Sequence, residues 1–208
     1  MWSNLSHLRK QWLLVQKENS VKKLSAFFYK FSNGWVTIAA AVIFVLFTLL
    51  ILPRFSQQVE QYSQGMGSPD TSLFYTGAHL YTIAEAYGSE GRQAFIEIRW
   101  TMDLAFPVIY SLFLLTSSSW FMRKIIPVSS KWRLLNLVPL SAFFFDLAEN
   151  SATSLVMWRY PQHCVIAQFL APIFTPIKWL SVLAAFVLLI FVIVFWFVSL
   201  LRKKNISN

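Results

Sequence analysis

Apolar residues gather in four long runs, separated by basic or irregular stretches. The runs cover about residues 35–52, 100–121, 134–158 and 177–201. Each approaches or exceeds the roughly 18–20 residues that a helix needs to cross hydrocarbon. The pattern predicts an all-α polytopic membrane protein. Its four transmembrane helices form an up-down-up-down bundle within a single membrane domain, residues 1–208.

Shorter patterns fill the gaps. In residues 1–33, Trp2, Leu5, Leu8, Trp12 and Val15 recur at helical spacing, and Val21, Leu24, Phe28 and Phe31 resume it. Lysine and arginine occupy the other faces, so this segment reads as a basic amphipathic helix on an anionic membrane surface. The stretch 53–99 is the longest loop. Gly65, Gly67 and Pro69 make its first half irregular, and Asp70 or Thr71 is placed to cap a helix over about 71–87. That helix has an aromatic, apolar face and reads as interfacial, or as a lid. Another helix is expected from Ser89 or Glu90 straight into the second run, with a kink at Pro107. Pro53 is expected to end the first span, and Pro172 and Pro176 to precede the fourth.

Composition agrees with a membrane protein: 56% of residues are hydrophobic, 13% are charged, and mean hydropathy is +0.53. A net charge of +9 would raise nucleic acid as a partner of a soluble protein. Here the basic residues flank apolar runs, which membrane topology explains better. The N-terminal segment holds six Lys/Arg, the middle loop four and the C-terminal tail three, whereas residues 53–99 hold three against five acids. The positive-inside rule then puts both termini in the cytoplasm, in a plasma (inner) membrane, with 53–99 outside. Cys164 stands alone, so an intrachain disulfide and a CxxC redox pair are excluded. The first run lacks a small-residue cleavage site and reads as an uncleaved anchor.

The third run departs from this apolar pattern. Asp146, Glu149, Asn150 and Thr153 are 3, 1 and 3 residues apart and form one polar stripe on a helix. A charge at mid-bilayer costs roughly 2.5–3.5 kcal/mol on insertion scales, so such groups are rarely accidental. Counting from Leu134 at ~1.5 Å per residue, Asp146 lies roughly 12 Å below the outer edge of a 30 Å core. Asp103 and Lys178 fall in the same outer half, with Arg99 and Arg159 just above, and Arg92, Arg99, Arg159 and Lys178 are candidates to hold a phosphate or lipid headgroup. A polar pocket open to the outside is expected. Bland roles compete: Asp103 pairing with Arg99 at the interface, Lys178 snorkelling to headgroups, and Asn150 and Thr153 bonding between helices. Trp100, Trp158, Tyr160 and Trp179 suit interfacial anchoring.

Three functions fit the stripe. The first is binding or handling of a lipid headgroup, small polar solute or cation. The second is a membrane enzyme acting on a lipid-like substrate, with Asp146 and Glu149 as acid and base. The third is an accessory subunit that pairs its stripe with a partner protein or a second copy. No cofactor is evident. A divalent cation would suit the oxygen ligands Asp103, Asp146, Glu149 and Asn150, with His79 and His163 as further candidates outside any metal-binding spacing. Membrane eicosanoid and glutathione enzymes also combine Arg, Asn and Glu within spans, but their motif order is not reproduced here.

Overall fold

A computed structural model describes residues 18–206; residues 1–17 of the amphipathic segment expected over 1–33 lie outside them. The described residues contain helices and no strand. Helix α1 covers residues 18–31. Then come α2 (Gly34–Leu46), a π-helical turn (Phe47–Ile51), α3 (Leu52–Ser63), α4 (Gly77–Ala86), α5 (Gly88–Trp100), α6 (Met102–Ile125), α7 (Val138–Arg159) and α8 (Val165–Ile206). Short 3-10 turns at Pro69–Thr71 and Lys131–Leu137 precede α4 and α7.

Three helical stretches, Gly34–Ser63, Gly88–Ile125 and Val165–Arg202, are long and apolar enough to cross a membrane. They mark the chain as an integral membrane protein. The shorter α7 falls outside this group, because its 22 residues include Asp146, Glu149, Asn150 and Arg159.

The prolines explain where the observed elements depart from expectation. Pro53 does not end the first helix, which continues to Ser63. Proline is tolerated in a first helical turn, and the π-helical turn before α3 absorbs the missing hydrogen bond and the ring's bulk. Pro172 and Pro176 lie inside the 42-residue α8 rather than before it. The break in the second long helix falls at Thr101 (φ −111°, ψ −81°), whereas Pro107 sits within α6. Helix α4 begins at Gly77, not at residue 71, because Thr76 supplies the cap: its hydroxyl accepts from the His79 N–H at 3.1 Å. The α7 helix starts at Val138 rather than Leu134. Asp146 is therefore about 12 Å along the axis from the helix start, not 18 Å.

Helix α8 packs through a seam of period about 3.5. Ala171, Thr175, Lys178, Ala185, Leu189 and Val192 are buried along it, with Val182 half-buried. On α7, Pro139, Ala142, Asp146, Glu149, Thr153 and Val156 repeat the same 3,4 spacing. The outward residues of α8, such as Phe169, Leu180, Ile190 and Phe195, are exposed and apolar. Along both seams small or apolar residues lie on either side of the polar ones, so the polar groups meet between two apolar clusters.

One cluster joins α4 and α5 to the C-terminal half of α7 and the start of α8, through Leu80, Ile83, Phe95, Val156 and Ala171. Gly77 is needed there: a Cβ on it would lie 2.7 Å from the Gln168 backbone oxygen. The Tyr81 hydroxyl accepts from the Cys164 N–H at 2.7 Å and pins the α7–α8 loop beneath α4. At the opposite end, Asn136 knits α1 to α6. It accepts from the Ser25 hydroxyl at 2.8 Å and donates to Ser119 at 3.0 Å. Burial pushes the Tyr29 phenol up from its ordinary pKa, and the Arg133 guanidinium covers its ring at 3.8 Å. The apolar residues of α1 remain outside this contact: Val21, Leu24, Phe27 and Phe31 are exposed.

Candidate functional site

Helix α7 presents Asp146, Glu149 and Asn150 toward its neighbours within the chain, all three at 6% exposure or less. Each meets a different element. Glu149 faces α8, where Lys178 forms an ion pair with its Oε2 and the Thr175 hydroxyl donates to its Oε1 at 2.7 Å. Thr175 and Lys178 are three residues apart on the buried seam, so both reach one carboxylate. The Tyr75 hydroxyl, from the loop before α4, lies 3.1 Å from that of Thr175.

Asn150 faces α5. Its Oδ1 accepts from Arg99 at 3.1 Å, and the other arm of the guanidinium donates to Ser68 at 2.9 Å. Arg99 also pairs with Asp103 one turn on, across the Thr101 break, and lies over the Phe95 ring at 4.7 Å. One buried arginine thus fastens α5, α6, α7 and the loop before α4 together.

Asp146 faces α6, where the Tyr110 hydroxyl donates to its Oδ2 at 3.0 Å. It lines a cavity of about 300 Å³ whose other walls include Asp103, Phe106, Lys178, Trp179 and Phe186. A second cavity of about 230 Å³ lies between α3, the 67–71 loop and the α5–α6 junction, with Arg99 in its wall. Leu52, Asp103 and Phe106 belong to both cavities. Asp103 is the more open partner of its pair, with 24% of its side chain exposed against 4% for Arg99.

Several expected residues lie elsewhere. Thr153 is buried, but its hydroxyl donates back to the α7 backbone at Glu149, 2.9 Å away, and so does not reach a cavity. Arg159 is exposed and bonds Gln162. Arg92 donates to the Ala84 carbonyl at 2.8 Å and stacks on Tyr160, fixing α5 to its neighbours. His79 is exposed, and exposed His163 lies beside Tyr81 and Gln168. No group of three His, Cys, Asp or Glu side chains suited to a metal forms among the described residues. The two histidines belong to α4 and the α7–α8 loop and do not join the carboxylates. Lys178 does not extend to an exposed position, because the Glu149 carboxylate holds it inside.

Sequence reasoning missed Tyr110, Thr175, Ser68 and the aromatic walls. A signal existed for two of them. Tyr110 follows Asp103 by seven residues, and Thr175 precedes Lys178 by three, so each shares a helix face with a charge already noted.

Comparison with protein-family models, curated proteins and solved structures gave no match.

Proposed function

We propose that this is a four-span membrane protein that binds an amphiphilic ligand in the paired cavities around Asp103. In this reading α7 is the remaining span, with its polar face covered by α5, α6 and α8 and with Phe144, Leu155 and Trp158 exposed on the other. Basic residues at α1, 123–133 and the C-terminus mark the cytoplasmic side of an inner membrane. The exposed apolar face of α1 then rests on that leaflet. The observation that carries the binding reading is the common wall of Leu52, Asp103 and Phe106. Each cavity sets charged side chains, Arg99 and Asp103 in one and Asp103, Asp146 and Lys178 in the other, beside apolar and aromatic walls. A ligand with a charged head and an apolar body fits such walls.

Two alternatives are less favoured. Glu149 lies outside the cavity that Asp146 lines and is engaged by Thr175 and Lys178, so the two acids do not face one substrate. The polar stripe of α7 is matched within the chain, which leaves little of it for a partner helix.

Topology is tested by labelling single cysteines introduced at Phe74, Val128 and Gln162 in a Cys164→Ser background, with a membrane-impermeant maleimide. Residues 74 and 162 should label from one side and 128 from the other. Labelling of 128 and 162 from the same side would remove α7 as a span. For binding, lipid extracts of purified wild type and a cavity-filling Val182→Trp variant are compared. Wild type should retain a small amphiphile that the variant lacks. Identical extracts would overturn the binding reading.

A further inference from the structure

We infer that the cavity lined by Asp146 receives an organic ammonium group, as a trialkylammonium headgroup or an amine carried on an apolar body. This rests on the binding reading above and names the chemistry of the ligand.

The first argument is charge. Three carboxylates, Asp103, Asp146 and Glu149, share the cluster with two basic side chains, Arg99 and Lys178. Arg99 is engaged by Asp103, and Lys178 by Glu149. Asp146, 6% exposed, has the Tyr110 hydroxyl as its hydrogen-bond donor. Lys178 also stands in the cavity wall, and its charge reaches Asp146 as well as Glu149. Three carboxylates still exceed two bases by one in this buried cluster, which calls for one further positive charge.

The second argument is the wall. Phe44, Phe106, Tyr110, Trp179 and Phe186 surround the cavity that Asp146 enters. Phe106 meets Tyr110 edge to face at 5.4 Å, and Phe44 lies 6.0 Å from Phe186, so the rings form a connected lining. Aromatic faces attract cations, most strongly when water is excluded. They also suit the methylene or methyl surface of an alkylated ammonium, which a small hydrated metal ion lacks. An anion would meet Lys178 but also the more numerous acids Asp103 and Asp146. A neutral apolar ligand would leave the excess acid of the cluster unbalanced.

The test uses the full chain in micelles of an uncharged detergent, with thermal stabilisation as the readout. The probes are benzyltrimethylammonium, its uncharged isostere neopentylbenzene, and phenylmethanesulfonate. Asp146→Asn keeps an acceptor for Tyr110 and removes the charge. Phe106→Leu keeps apolar surface and removes a ring. Benzyltrimethylammonium should stabilise wild type and require about tenfold or more higher concentration in Asp146→Asn. Neopentylbenzene should act alike on both proteins, and the sulfonate should have no effect. Phe106→Leu should weaken the cation severalfold and the isostere little.

If the isostere matches the cation on wild type and Asp146→Asn does not weaken the cation, the ammonium assignment falls while the cavity reading stands. If neither probe acts, or both act unchanged on Val182→Trp, the cavity reading itself falls. Displacement of the probe by equimolar sodium or calcium would overturn the assignment in favour of an inorganic cation.

Discussion

Lys178 and Glu149 form an ion pair between α8 and α7 in which neither side chain is more than 5% exposed. Breaking such a pair from one side leaves a buried charge, at a cost of about 3–5 kcal/mol. Lys178→Met should therefore lower the thermal midpoint strongly, whereas Lys178→Met combined with Glu149→Gln should recover much of the loss. Melting curves of the purified variants in detergent check this. Equal midpoints for the single and double variants would show that Glu149 is not an ionised partner.

Tyr110 donates to a buried carboxylate, and hydrogen bonds to charged groups contribute about 1.5–3 kcal/mol. Tyr110→Phe should be destabilised by an amount in that range. It should lose that penalty in an Asp146→Leu background, where nothing remains to accept the bond. A double-mutant cycle over the two positions reads the coupling directly, and a coupling near zero would contradict the contact.

Gly77 stands where α4 meets the α8 backbone, so Gly77→Ala forces a shift of one helix against the other. Overpacking of this kind costs about 1–3 kcal/mol. The loss should be local. Amide exchange should quicken in α4 and in the loop that holds Ser68 and Tyr75, while the C-terminal ends of α6 and α8 keep their protection.

Asn136 is fully buried and serves both Ser25 and Ser119. Asn136→Ala leaves these hydroxyls unmatched, at about 1–3 kcal/mol for each buried group. Limited proteolysis should then cut within residues 18–31 well before the remaining helices. Unchanged cleavage would mean that α1 is held by other contacts.

Much of the architecture is legible in the residues. The apolar runs reveal the long helices, and the 3,4 spacing of Asp146, Glu149 and Thr153 already points them along one seam. Helix ends are harder to read, because proline does not act alone. Pro53 and Pro176 look like stops, yet the first falls in an initial turn and the second lies within a long, well-packed helix. Thr76 outcompetes Asp70 and Thr71 as a cap through its bond to His79, which their sequence positions do not reveal. In the candidate site, individual charges stand out against apolar surroundings, but their pairing does not. Whether Lys178 reaches outward or inward depends on Thr175 and Glu149 sharing its face, and that is decided by how α7 and α8 meet.

The π-helical turn at Phe47–Ile51 sets the rotational phase of everything after it. Phe44 and Leu52 line the same cavity although they are eight positions apart. At 3.6 residues per turn, eight steps overshoot two revolutions by about 80°. One surplus residue in the π turn removes roughly 100° of that rotation and brings the two side chains back into line. Deleting a single residue between 47 and 51 would therefore turn this stretch into ordinary α-helix and keep Leu52, Phe55 and Val59 against the Asp103 wall, whereas straightening the turn at full length would swing them roughly 100° away while leaving α2 seated, as a vernier moves one scale against another.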